Sequence, residues 1–328
     1  MNKKFTLIFV AIFLMAAIFT AGEMQADEPW AALEGESFDL VVGFDAGGSH
    51  DLSARYIAEA LEKIGVDVSV VNMPGAVGTE AAYHVASQDP DSNILFWGHP
   101  PVMIFEPAAR DIGYEYDDFD AVGAMGSPTF AIGSRAGAPW EDLDELRAYI
   151  DENPGEVIVG GQGELHIMHY AVEAILPPDE YDYRYVAFAG GADVALNLTG
   201  GHADVGHLSL SAAKPLHDDD ELTVMVHTSA VAERVDMMPD VPNVTEFGID
   251  FTEPHTLAAW APAGTDAETR EALNAALAEI TNDNDFLESM GDMGFVVSHH
   301  TIEETEEYFN SVRDDLLPQF MDWLESKE

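Results

Sequence analysis

Two short turns of nearly the same wording, Phe44-Asp-Ala-Gly-Gly-Ser49 and Phe188-Ala-Gly-Gly-Ala192, hold the clearest chemistry in this chain of 328 residues. Their first paired glycines, Gly47 and Gly190, stand 143 residues apart. Glycine places no Cβ between the backbone and a ligand, and the first N–H groups of a helix have no acceptor within it. A Gly-Gly pair that opens a helix is therefore an anion trap. One copy alone reads more simply as a tight strand-to-helix turn. Two matched copies suggest two halves of one anion site. Other chemistry is sparse. There is no Gly-x-Ser-x-Gly elbow, no His-Glu-x-x-His, no phosphate-binding loop and no cysteine, and Gly161-Gln-Gly163-Glu-Leu-His166 breaks the dinucleotide fingerprint at its third glycine. His166 and His169 have the spacing of one helical face, and His202, Asp204 and His207 are further metal-ligand types, but no thiolate or four-ligand pattern joins them. The reading assigns no catalytic residue, no metal and no cofactor.

The elements that must position these turns alternate between β and α. Strands are expected over 38–44, 66–71, 94–97, 129–134, 157–160, 183–186, 203–207, 223–227 and 257–261, with helical spacing between most of them. Leu52, Tyr56, Ile57, Ala60 and Ile64 recur at helical intervals directly after the first turn. Pro139 suits the first turn of a helix over 140–151, while Thr265-Asp-Ala-Glu268 and Thr301-Ile-Glu-Glu304 have capping-box spacing. His299-His300 reads as a loop before the last of these caps, and Tyr181, Tyr183 and Tyr185 as one face of a strand. Doubly wound α/β layers follow. No single linker is visible, which fits two domains that exchange the chain more than once.

Composition bounds the partners. Hydrophobic residues make up 47%, enough for a large core, and 13 Lys+Arg stand against 61 Asp+Glu for a net charge of −48. The acids are scattered, which implies a surface and not a tail. Such charge repels itself in dilute buffer and is screened in concentrated salt, so a halophilic source is expected. No basic patch exists to neutralise phosphates, which argues against nucleic acid and anionic membranes as partners. Lys3 and Lys4 precede an apolar run over 5–19 and then small residues, the pattern of a secretory signal peptide over 1–26. Without cysteine there is neither a disulfide framework nor a lipidated N-terminal cysteine, and a periplasmic location is expected.

In order along the chain come Val42-Gly-Phe-Asp-Ala-Gly-Gly-Ser-His-Asp51, Val71-Asn-Met-Pro-Gly-Ala-Val-Gly78, Phe188-Ala-Gly-Gly191 leading to Leu198-Thr-Gly-Gly-His-Ala-Asp204, Pro239-Asp-Val-Pro-Asn-Val-Thr-Glu246 and Ala261-Pro-Ala-Gly-Thr265. This series resembles the substrate-binding proteins of tripartite tricarboxylate transporters, the Bug family. The resemblance implies an α/β, two-domain flytrap of the type II periplasmic-binding-protein class with its ligand in the interdomain cleft. It suggests one domain over 37–131 plus 240–328 and a second over 132–239. It implies a non-enzymatic, monomeric protein that captures a small organic carboxylate for two integral membrane transporter subunits.

Carried onto this chain, the resemblance puts the ligand at Phe44, Gly47, Gly48, Ser49, His50 and Asp51 in one domain and at Phe188, Ala189, Gly190, Gly191 and Ala192 in the other. Asp51 fits a helix cap or an ordering role better than direct contact with an anion. His50, His99, Gln162, His166 and His207 are the side chains available to read the rest of the ligand. Departures from the family pattern are Gly43, Ala46 and Asp193 in place of proline, Ala189 in place of a polar residue, and Thr256 in place of an aromatic one. His169 and Glu173 match a family His and Glu, with Gln162 and Glu164 where small hydroxyls are usual. A receptor for another transport system, a ligand sensor for a membrane kinase and a metal-dependent hydrolase are the alternative readings.

Overall fold

The computed structural model describes residues 28–229, 234–249 and 251–327. The segment over 1–26 expected to be a signal peptide lies outside them. Two mixed sheets organise the chain. The first has the order β11-β4-β10-β3-β1-β2 and the second β7-β6-β8-β5-β9. Strands of the first are β1 (Ser37–Val42), β2 (Asp67–Asn72), β3 (Ile94–Gly98), β4 (Phe119–Pro128), β10 (Leu257–Pro262) and β11 (Phe295–His300); those of the second are β5 (Phe130–Arg135), β6 (Ile158–Gln162), β7 (Arg184–Phe188), β8 (Val205–Ser209) and β9 (Leu222–Thr228). The chain passes between sheets from Pro128 to Phe130 and returns after Thr228. β1 runs parallel to β2 and β3, as β6 does to β7 and β8, whereas β10, β11 and β5 pair antiparallel with their neighbours. Two α/β layers of this kind, with the chain crossing between them more than once, fit the expected two-domain flytrap.

Ten helices of eight or more residues cover the described sheets: α1 (Ser49–Lys63), α2 (Thr79–Ala86), α3 (Leu143–Glu152), α4 (Ile167–Ile175), α5 (Gly191–Thr199), α6 (Leu210–Asp218), α7 (Ala267–Ile280), α8 (Asn284–Asp292), α9 (Ile302–Ser311) and α10 (Leu317–Glu325). Alternate strand residues feed opposite faces. Leu40 and Val42 pack with Trp97 and with Ala54, Ile57 and Leu61 of α1, while Val41 packs with Phe96 and Trp260. In the second sheet Ile132 joins Val159 and Val226 on one face, and Ala131 joins Val194 and Leu208 on the other. Full burial of a side chain such as Ile57 stabilises the fold by roughly 1.5–3 kcal/mol. That packing fixes α1 and α5 at the ends of their strands.

All nine expected strands form, with ends shifted by a few residues, and two more were missed. β4 is rich in Ala and Gly and buried almost throughout, so it shows neither alternation nor β-branched enrichment. His299-His300 does not form a loop; the pair closes β11 against β4, with His300 opposite Ala124. Pro139 does not start a helix either. Asp142 caps α3 by accepting from the Glu145 N–H at 2.8 Å. For α7 the cap is Asp266, one residue beyond the expected Thr265, whereas Thr301 and Glu304 form the expected reciprocal box.

Candidate functional site

The first turn leaves the carboxyl end of β1, where the Val42 carbonyl accepts from the Met73 N–H at 2.8 Å. Gly47 turns at φ +88°, a left-handed conformation that favours glycine. Gly48 at φ −76° is the N-cap of α1 and supplies no side-chain cap. Asp51 braces the turn from below. It is 1% exposed, and it accepts from the Gly47 N–H at 2.8 Å, from Arg55 Nε at 3.0 Å and from Asn72 Nδ2 at 2.9 Å; Asn72 Nδ2 also donates to the Phe44 carbonyl at 3.1 Å. Burial pushes the Asp51 carboxyl up, but the bonds from Arg55, Gly47 and Asn72 outweigh it and hold the group below its ordinary value. The Gly47 N–H is thus taken and the Gly48 N–H donates a long bond to the Asp45 carbonyl at 3.4 Å, so the N–H groups that remain to face a ligand begin with Ser49. Gly43 leans on the next loop: a Cβ there would stand 2.6 Å from Gly78 Cα, so no proline ring fits without backbone movement.

Beside this turn three imidazoles converge. Phe44 stacks on His50 with ring centroids 4.2 Å apart, His50 meets His99 at 4.7 Å, and His99 meets His255 at 4.5 Å. Topology explains the meeting. His50 follows the end of β1, His99 follows the end of β3, and His255 precedes antiparallel β10, whose Ala258 pairs with Gly98 of β3. Carboxyl strand ends of this kind form the crevice where open α/β sheets take ligands. His50 Nε2, His99 Nδ1 and His255 Nδ1 are buried without a hydrogen-bond partner. Burial lowers His50 to about 4 and pushes His99 and His255 well below the ordinary histidine value, aided by their neighbours' charge.

The second sheet presents its own carboxyl ends to the same region. Phe130 opens β5, 4.9 Å from the His255 ring and stacked at 5.5 Å on His207 of β8. His207 Nε2 lies 3.1 Å from Glu253 Oε2, which also accepts from Thr228 Oγ1 at 2.7 Å. Glu253 Oε1 and His207 Nδ1 are buried without partners. The second turn follows β7: Gly190 in extended conformation caps α5, again with no side-chain cap. Gln162 ends β6 in register with Phe188, and a Cβ built on Gly191 would approach Gln162 Nε2 at 3.6 Å and the Ser209 N at 3.9 Å, ordinary contacts. Ala189 and Ala192 are exposed. His166 caps α4 by accepting from the Met168 N–H at 3.3 Å, with Nε2 3.9 Å from buried Glu106; burial lowers it to about 4.

The histidines and acid offered as a metal set by sequence do not assemble. Asp204 pairs with Arg135 at 2.7 Å and accepts from the Ile158 N–H. His169 stacks on Tyr185 at 3.6 Å, with Nε2 3.1 Å from Glu173. Glu173 accepts from Trp323 and Lys327 of the C-terminal segment, so this pair docks α4 against α10. Among the described residues the one group of three with metal-ligand geometry is His50, His99 and His255. Sequence reasoning missed His255, Glu253 and Phe130. The signal for the first two was local: a Glu-Pro-His run directly before a strand. Thr256 bonds Ser127 at 2.9 Å inside the wall of the first sheet.

A model of the family described as tripartite tricarboxylate transporter family receptor matches residues 53–314. The UPF0065 protein of the TAR-I ttuE-ttuC' intergenic region of Agrobacterium vitis is 28% identical over 297 residues, 88% of this chain and 82% of that protein. A TctC solute binding protein from Polaromonas shares the fold, with a TM-score of 0.73 and 23% identity over 87% of this chain and 98% of its own. MatC from Rhodopseudomonas palustris, solved with bound malate, gives a TM-score of 0.66 and 25% identity over 88% of this chain and 98% of its own.

Proposed function

The chain belongs to the tripartite tricarboxylate transporter receptor family, a family of periplasmic solute-binding receptors, and from that premise we propose that it captures a small organic carboxylate between its two Gly-Gly turns. The observation that carries the reading is the pair of helix starts without side-chain caps, at Gly48 and Gly190, each at the carboxyl end of a strand, with the unpartnered polar atoms of His50, His99, His207 and Glu253 nearby. The N–H group of Ser49, joined by that of Gly48 if the ligand displaces the long bond to the Asp45 carbonyl, on one side and those of Gly191 and Ala192 on the other would bind the carboxylate through charge-assisted bonds. Gln162 and the cleft histidines would read the remainder of the ligand, and malate in MatC is an example of the ligand class.

In this reading the domains are 37–131 plus 240–328 and 132–239, and the ligand draws them together because only a closed form brings both turns onto it. The protein is exported by the segment over 1–26, works as a monomer in the periplasm of a halophile, catalyses no reaction and hands its ligand to two membrane subunits. No helix among the described residues is long and apolar enough to cross a membrane. A thermal-shift panel of mono-, di- and tricarboxylates tests the reading: at a concentration of 100 times Kd a true ligand adds about 2.7 kcal/mol to stability. Stabilisation by sugars or neutral amides alone would overturn it.

A further inference from the structure

We propose that His50, His99 and His255 form a binding site for one divalent transition-metal ion that favours imidazole, such as zinc, with a coordination position left for an oxygen of the captured ligand. The ring nitrogens available as ligands lie within 4.8 Å of one another. Zinc–nitrogen bonds of about 2.0–2.1 Å in a tetrahedron hold nitrogens about 3.3 Å apart, so small side-chain rotations close the set. Each ring carries a buried nitrogen with no partner. A buried polar atom left unpaired destabilises the fold, and three together in one cluster are poor packing unless something binds them. Apolar rings would fill the same volume against Phe44 and Phe130 without that cost.

The donor set decides the ion. Three imidazoles and no carboxylate suit zinc, nickel, copper or cobalt and not calcium or magnesium, which take oxygen ligands. The acids nearest in sequence are held elsewhere: Asp51 by Gly47, Arg55 and Asn72, and Glu253 through its Oε2 by His207 and Thr228. Three protein nitrogens leave a fourth position open, as in metal sites that exchange their ligand. His50 is two residues beyond Gly48, so a carboxylate held by the first turn has an oxygen to offer there. The three-histidine site stands on its own geometry; its fourth ligand rests on the carboxylate reading given above.

The test titrates chelator-stripped protein with zinc chloride in molar KCl and excess magnesium, which occupies the acidic surface, and records the zinc X-ray absorption spectrum of the loaded protein. One zinc per chain is expected, with imidazole nitrogens in its shell, and His99→Ala and His255→Ala should each weaken it at least tenfold. Zinc displaced by magnesium, an oxygen-only shell, or folded variants that bind zinc as tightly as the parent would overturn the proposal. The absorption spectrum of the parent decides if the variants do not fold. Malate binding without zinc binding would refute the metal site and leave the carboxylate reading standing, whereas zinc binding with no carboxylate ligand would refute that reading and leave the metal site.

Discussion

Asp51 fixes the geometry of the first turn more than any other single residue. Its buried carboxylate holds the Gly47 N–H, Asn72 and Arg55 together, and Asn72 in turn holds the Phe44 carbonyl. Asp51→Asn keeps the shape but sets an amide donor against donors already aimed at the site. It should destabilise the fold by about 1–3 kcal/mol, seen in urea unfolding, and weaken ligand binding with it. Arg55 is half exposed, so Arg55→Gln should cost less than Asp51→Asn because solvent screens the pair. Equal losses for the two variants would show that the ion pair, and not the brace on Gly47, sets the turn.

At the scale of elements, α10 is tied to α4 through Glu173. Burial pushes that carboxyl up, but His169, Lys327 and Trp323 outweigh it and hold it at about 2. A carboxylate depressed in the folded state gives stability that is present above its ordinary value near 4.5 and lost as pH falls toward 2. His227 is fully buried on β9, near Glu246 and Arg234, and burial lowers it to about 4; the unfolded chain takes up that proton first, so stability also falls between about pH 6.5 and 4. Thermal midpoints should therefore drop in two stages on acidification, and Glu173→Gln should show a smaller lower one, the remainder coming from other depressed carboxylates such as Asp51; an unchanged lower stage would contradict the role given to Glu173. Both turns, β1 and most helix positions were legible in sequence because alternation and helical spacing mark them. β4 escaped because burial on both faces erases alternation, and the His50, His99 and His255 cluster because three residues separated by 205 positions in sequence meet only through the β1-β3-β10 order.

For the whole molecule, the net charge of −48 with 13 basic residues predicts a fold far more stable in molar KCl than in dilute buffer, because the screening length falls to roughly 3 Å at 1 M. Unfolding midpoints that stay flat from low to molar salt would remove the halophilic reading. In the proposed reading ligand capture is also a property of the whole, since each domain would offer one turn. A Cβ on Gly48 meets only the Asp45 carbonyl at 3.4 Å and one on Gly191 makes ordinary contacts, and neither glycine has positive φ, so valine at either position is compatible with the fold. The most direct test is calorimetric titration, at molar salt, of the parent, Gly48→Val, Gly191→Val and the double variant with the best ligand of the carboxylate panel. Each single change should weaken binding at least tenfold, about 1.4 kcal/mol, and the double variant should lose little beyond the worse single one because either change blocks the same closed state. Folded Gly48→Val and Gly191→Val proteins that both bind the carboxylate as tightly as the parent would contradict the two-turn site.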